Sequence, residues 1–331
     1  MTITKDNTIT IKGIAILMMV IHHLWGWPNN IPELVLPSYL VTIGKACKLC
    51  VAIFMVLSGY GLAKSSNGYI SWKHQFQRVL KLYCKFWKVA IPFFVIGWLL
   101  HYYTFDVLVF GGNMSGLIQT YNREWWYIPI YAFMLLSFPF LYRIVSIQQY
   151  GAYFGLLLCV LSRLIASLIP FEGVFCCNLY YYLYYLSCFV IGLLIATYSL
   201  EDVFHNDRIV YLLEKITRSK ILVLILLFGL YLLRVLTNWS WITVVLVPLF
   251  ILMCVNFNIR NKVIVRFLYV FGKYSMNIWL VHTVFIYYYA KKITFEISKN
   301  PVIDLGLVLL LSLFVAYVLE EIYLLIRKCN E

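Results

Sequence analysis

The sequence predicts an all-α integral membrane protein, a bundle of about ten transmembrane helices with both termini in the cytoplasm. Three observations carry this expectation. Of the 331 residues, 63% are hydrophobic. Only 12% are charged, about half the usual share of a soluble domain. Finally, the apolar residues come in stretches of about 20, the length that crosses a bilayer core. Aromatics reach 18%, with 27 tyrosines, many of them where a span would meet headgroups. A formal charge of +13 would suit nucleic acid, but the basic residues sit between apolar segments. They read as topology signals and as contacts to an anionic substrate, so no nucleic-acid partner is expected.

The expected spans lie near 11–27, 41–63, 88–105, 125–143, 151–169, 179–198, 220–236, 239–256, 271–290 and 302–326. The first is not followed by a small-residue cleavage site and reads as a retained helix. One membrane domain over residues 1–331 is expected, with no separate soluble domain. Eight basic residues fall outside or in outer halves of spans: Lys45, Lys48, Arg123, Arg163, Arg234, Lys291, Lys292 and Lys299. The other 19 of the 27 fall on the side of the N-terminus, which predicts cytoplasmic termini and an even number of spans. Nine cysteines are scattered along the chain. Cys47 and Cys50 form CKLC without a second pair at zinc spacing, so no metal is expected and small apolar packing is the reading. A disulfide with Cys176 or Cys177 is the alternative.

Within the first span, residues 11–24 read IKGIAILMMVIHHL. Lys12 and His23 are 11 residues apart, close to three helical turns. They share a face and are separated by roughly 16 Å along the axis. His22 is turned about 100° away. An ionisable group at the depth of His23 faces a bundle interior or a wet cavity. A neutral imidazole there suits a general base acting on a hydroxyl. The alternative is a polar histidine bonded between helices.

The second span contains VAIFMVLSGYGLA, where Gly59 and Gly61 permit close backbone approach and Ser58 can bond across helices. Residues 73–88, KHQFQRVLKLYCKFWK, are expected to form a cytoplasmic loop with five Lys/Arg. Arg78 and Lys81 share a face if that stretch is helical. A basic rim suits phosphate groups, although topology and anionic lipid would produce the same loop. At 123–129, REWWYIP places Trp125, Trp126 and Tyr127 at the outer entry of a span. They suit either an aromatic belt or a sugar-stacking platform. His282, in FGKYSMNIWLVHTVF, is a second deep histidine, either structural or directly involved. Arg163 either lines a cavity or snorkels to the outer surface.

Five stretches, in this order, resemble the acyltransferase 3 family of membrane acyltransferases. KGIAILMMVIHH is similar to that family's arginine, ten residues, histidine, with Lys12 and His23. FMVLSGY resembles its FFxxSGY, with Ser58 and Tyr60. RVLKLY resembles its arginine, two residues, arginine, with Arg78 and Lys81. WWYIP resembles its tryptophan-aromatic-leucine stretch, and SMNIWLVH its SxxxYLxH, with Ser275 and His282. Lys12 and Lys81 depart from the family by standing where arginine is usual, keeping charge but losing the fork.

The resemblance implies acyl transfer from cytoplasmic acyl-CoA, usually acetyl-CoA, to a hydroxyl of a surface polysaccharide. Such polysaccharides include capsule, exopolysaccharide and lipid-linked precursors, at a bacterial inner or plasma membrane. It implies His23 and His282 as catalytic, as general base or acyl carrier. It also implies Lys12, Arg78 and Lys81 as coenzyme-binding, and Ser58, Tyr60, Trp125, Trp126 and Tyr127 as substrate-binding. A transporter or flippase for lipid-linked sugars is the competing class, since many spans and a basic inner face suit it too. No internal repeat supports that reading. A sensor or partner subunit without catalysis is the third.

Overall fold

The computed structural model describes residues 3–66, 68, 70–204, 206–237, 240–257 and 261–329, with side chains as far as Ile322. Arg260 and the side chains of Arg327 and Lys328, counted above as cytoplasmic charges, lie outside the described residues. The described chain is helical and contains no strand. In order the helices are α1 (Lys5–Trp25), α2 (Ser38–Ala46), α3 (Cys50–Ser66), α4 (Trp72–Leu99), α5 (Val107–Met114), α6 (Tyr127–Val145), α7 (Gly151–Leu168) and α8 (Gly173–Thr197). There follow α9 (Leu200–Val203), α10 (Asp207–Arg218), α11 (Lys220–Thr237), α12 (Thr243–Phe257), α13 (Lys262–Lys273), α14 (Ser275–Ile286), α15 (Lys291–Phe295) and α16 (Pro301–Cys329).

Eight helical stretches among the described residues are long and apolar enough to cross a membrane. The chain is therefore a multi-pass helical membrane protein. Two of the ten expected spans differ. The expected span 88–105 is the second part of the 28-residue α4, which already begins at Trp72, so residues 73–88 are helix and not a loop, and their lysines and arginine keep α4 from reading as an apolar span. It stops at Leu99, and the chain then turns through His101, at φ +57°. The expected span 271–290 is broken at Tyr274, leaving the twelve-residue α14. At 1.5 Å per residue that is about 18 Å, short of the roughly 30 Å core.

The chain forms two compact units, each assembled from separate segments. The first comprises residues 1–11, 51–77 and 133–265. Here α3 and α8 touch through their backbones. A Cβ on Gly59 would collide with the carbonyl oxygen of Phe189, and one on Gly192 with that of Val56. Gly61, expected to serve the same purpose, faces open space. The Tyr60 hydroxyl accepts from the backbone N–H of Ile3 at 2.9 Å, tying the amino-terminal segment to α3. Between α7 and α8, Arg163 is buried at 2% exposure. Its Nε donates to Ser187 Oγ at 2.8 Å, and its guanidinium lies 3.7 Å from the centre of the Tyr184 ring. It does not snorkel, because a phenol face and a hydroxyl replace its hydration inside the helix pair.

The second unit comprises residues 12–50, 78–132 and 266–331. Gly13 lets α1 lie directly against the backbone of α13 at Leu268. Gly44 lets α2 lie against Trp25 and Gly26. Short polar ties close the loops: Tyr83 donates to Ser115 O at 2.8 Å, Trp87 to Met114 O at 2.7 Å, and Tyr103 to Tyr121 O at 2.8 Å. Cys47, Cys50, Cys176 and Cys177 are all free thiols, so the alternative of a disulfide is corrected. Cys47 and Cys50 are buried among apolar side chains and pack as small residues.

Candidate active site

Three side chains from distant parts of the sequence meet in the second unit. His23, near the end of α1, has its ring centre 5.1 Å from that of His282 on α14. Its Nε2 lies 3.6 Å from Glu124 Oε2, in the 3-10 turn Arg123–Trp126. The two side chains are 12% and 24% exposed.

Hydrogen bonding fixes the state of two of the histidines. His282 Nδ1 contacts the carbonyl oxygens of Trp279 at 2.7 Å and Ile278 at 3.2 Å. Carbonyls only accept, so Nδ1 carries the proton and Nε2 keeps a lone pair. That Nε2 is buried and has no partner among the described residues, and the same holds for His23 Nδ1. His22 is different. Its Nδ1 donates to Gly44 O at 2.8 Å and its Nε2 accepts from the Trp27 indole N–H at 3.2 Å. Both of its nitrogens are occupied, and it is a structural histidine.

The turn carrying Glu124 is held by the helix carrying His282. Asn122 caps the turn, its Oδ1 accepting from the Glu124 N–H at 3.0 Å. Its Nδ2 donates to Thr283 Oγ1 at 2.8 Å, next to His282. The Trp125 indole donates to Leu280 O at 3.1 Å. On the other side the Tyr287 hydroxyl donates to the backbone carbonyl of His23. Asn122 and Trp125 thus set the distance between Glu124 and the two imidazoles.

Trp125 is 1% exposed and packed edge-to-face on Phe86 and Phe93. Its ring has no free face for a sugar. Trp126 and Tyr127 are half-buried, and Tyr127 stacks on Tyr131 and meets the edge of Trp279. Ser58 and Tyr60 belong to the first unit, where Ser58 is half-buried and the Tyr60 hydroxyl is committed to Ile3.

The other end of α1 carries Lys12, half-buried. On α4, Arg78, Lys81, Lys85 and Lys88 recur at spacings of three, four and three, which places them along one face. Lys85 is the member of this stripe whose charge meets Lys12. Glu320 on α16 accepts from Asn277 at 3.3 Å. Lys12 and Lys85 therefore place two neighbouring positive charges about 16 Å along α1 from His23.

Sequence reasoning missed Glu124, Asn122 and Lys85. The available signals were an acidic residue beside tryptophans at the start of a span, an asparagine at a turn cap, and the seven-residue spacing from Arg78.

A histidine with a free basic nitrogen, a carboxylate at its other nitrogen and a second imidazole form an acid–base constellation in a membrane protein. The chain matches the acyltransferase 3 family, described as an acyltransferase domain, over residues 9–321. It belongs to that family and is a membrane acyltransferase. The comparison with curated proteins returned no match, and neither did that with solved structures.

Proposed function

We propose that the protein moves a short acyl group, acetyl in the simplest case, from cytoplasmic acyl-CoA to a glycan hydroxyl. The acceptor is a surface polysaccharide or its lipid-linked precursor. The convergence of His23, Glu124 and His282 carries this reading. Glu124, 3.6 Å from His23 Nε2, favours the tautomer with its proton on that nitrogen, leaving Nδ1 to remove the acceptor proton as the oxygen attacks the thioester carbonyl. The thiolate of the coenzyme leaves, and the proton taken by His23 is available to it. His282 presents a second lone pair, able to accept the acceptor hydroxyl or to share the proton. Lys12 and Lys85, with Arg78 and Lys81 further along α4, bind the anionic groups of the coenzyme. In this reading both termini and the Lys12 end of α1 are cytoplasmic, and the His23 end opens toward the outside.

The test is incubation of the purified protein and its His23→Ala variant with radiolabelled acetyl-CoA and glycan in detergent. Transfer by the wild type and not by the variant is expected. Normal transfer by the variant would remove His23 from the chemistry. Label held on wild-type protein without acceptor would replace direct attack by an acyl-histidine route.

A further inference from the structure

Arg123 stands one residue before Glu124, at the end of α1 away from Lys12, and its side chain is exposed. None of the ion pairs among the described residues includes it. Its backbone N–H donates to the Tyr288 hydroxyl at 2.9 Å. The Tyr288 phenol lies within electrostatic reach of Arg123, Glu124 and Tyr102. Tyr102 is 50% exposed, its ring edge-on to Tyr289 at 6.2 Å. An exposed guanidinium outside the ion pairs of the described residues and the Tyr288 phenol thus adjoin Glu124, at the end of α1 away from Lys12.

Positive charge is depleted at the outer ends of membrane segments, so topology does not account for an arginine here. Substrate charge does. An anionic acceptor approaching His23 meets the carboxylate of Glu124, and a neighbouring cation offsets that repulsion. A guanidinium forks onto a carboxylate or phosphate in a fixed orientation, which would turn one hydroxyl of the sugar toward His23. Tyrosine rings offer flat apolar faces for the sugar ring. We propose that Arg123, with Tyr102 and Tyr288, forms an acceptor subsite for an anionic glycan, one carrying a carboxylate or phosphate near the acylated hydroxyl. This subsite rests on the acyl-transfer reading above and names its acceptor class.

The experiment uses membranes of cells that make the protein together with its own glycan, labelled from radioactive acetyl-CoA. The labelled glycan is passed over an anion exchanger before and after carboxyl reduction, and before and after phosphatase. Retention is expected, with loss after one of the two treatments identifying the anionic group. With the isolated glycan, Arg123→Ala should raise the acceptor KM about tenfold, the size of a lost charge-assisted hydrogen bond. Arg123→Lys should fall in between, and the donor KM should move less than the acceptor KM. Labelled glycan that passes the exchanger untreated, or one acceptor KM for all three proteins, overturns the subsite. Wild-type protein that releases no thiol from acetyl-CoA fails the acyl-transfer reading, and the subsite falls with it. Thiol release with a neutral labelled product overturns the subsite alone.

Discussion

Each unit buries a polar cluster among the described residues, around Arg163 in one and around His23 in the other, and the two differ in what they leave free. In the first, Arg163 is closed in by Tyr184, Ser187 and Cys188, and what it leaves without a partner among the described residues is a donor, Nη1. A guanidinium stays charged under all ordinary conditions, so nothing in that cluster can take up a proton. In the second, His23 Nδ1 and His282 Nε2 have no partner among the described residues, and Glu124 lies 3.6 Å from the other nitrogen of His23. His22 sharpens the contrast, being adjacent to His23 and yet saturated at both nitrogens. Burial of a polar group therefore does not mark chemistry by itself. A titratable nitrogen whose lone pair has no structural partner points to it more directly.

The largest effect expected from this comparison is on His23. Its replacement by alanine should lower kcat about 10³-fold, within the range of a lost general base, whereas His22→Gln should lower thermal stability more than turnover. Equal loss of kcat in both, at equal folded content, would erase the distinction. Glu124→Gln keeps the shape but removes the charge that orients His23, and kcat should fall by roughly 10 to 10². A normal rate would show that the 3.6 Å approach of Glu124 to His23 is incidental.

Asn122 does not touch the reacting groups and is a positioning residue. Asn122→Ala should reduce kcat by about tenfold with little change in donor KM, because a misplaced carboxylate affects the chemical step. Thr283→Val should reproduce that split and Thr283→Ser should avoid it. If both units simply needed their polar groups for folding, KM, kcat and stability would fall together.

For Arg163 the prediction is structural. Arg163→Ala should destabilise by about 2–4 kcal/mol through the cavity it leaves. Arg163→Met, which fills the space, should cost under about 1.5 kcal/mol and leave kcat of the folded protein near wild type. Detergent melting curves with activity per folded molecule would decide it. A collapse of kcat in the Met variant would give Arg163 a chemical role.

The smallest effect concerns the surface pair Lys291–Glu33, at 2.6 Å. The hydrogen bond from Lys291 holds the Glu33 carboxyl below its usual range. Its contribution is thus present above the ordinary glutamate pKa of about 4.3 and is lost as pH falls through the depressed value. Both side chains are about one-third exposed, so the loss should be a few tenths of a kcal/mol. Glu33→Gln should flatten the acid limb of the melting curve by that amount.

Lys12 and His23 could be placed on one face of α1 because a helix repeats every 3.6 residues and both positions lie on it. The membrane class followed from composition, and the family from five short stretches. The basic face of α4 was visible in the spacing of Arg78 and Lys81, although the stretch was read as a loop. Its charges mask a helix that continues into the next apolar segment. The packing of Trp125 was not legible, because an aromatic at a span entry looks the same in sequence whether its face is open or packed.

The sequence by itself thus determined the membrane class, most of the spans and the alignment of Lys12 with His23. All of these are encoded within single segments by hydropathy and helical period. The tertiary structure alone decided that Glu124 lies beside His23, that Asn122 ties its turn to Thr283, and that His22 is spent while His23 is not. Those facts depend on how α1, α14 and the turn before α6 pack. Residues 101 and 259 positions apart carry no local signal of a 3.6 Å approach or of a 5.1 Å ring contact.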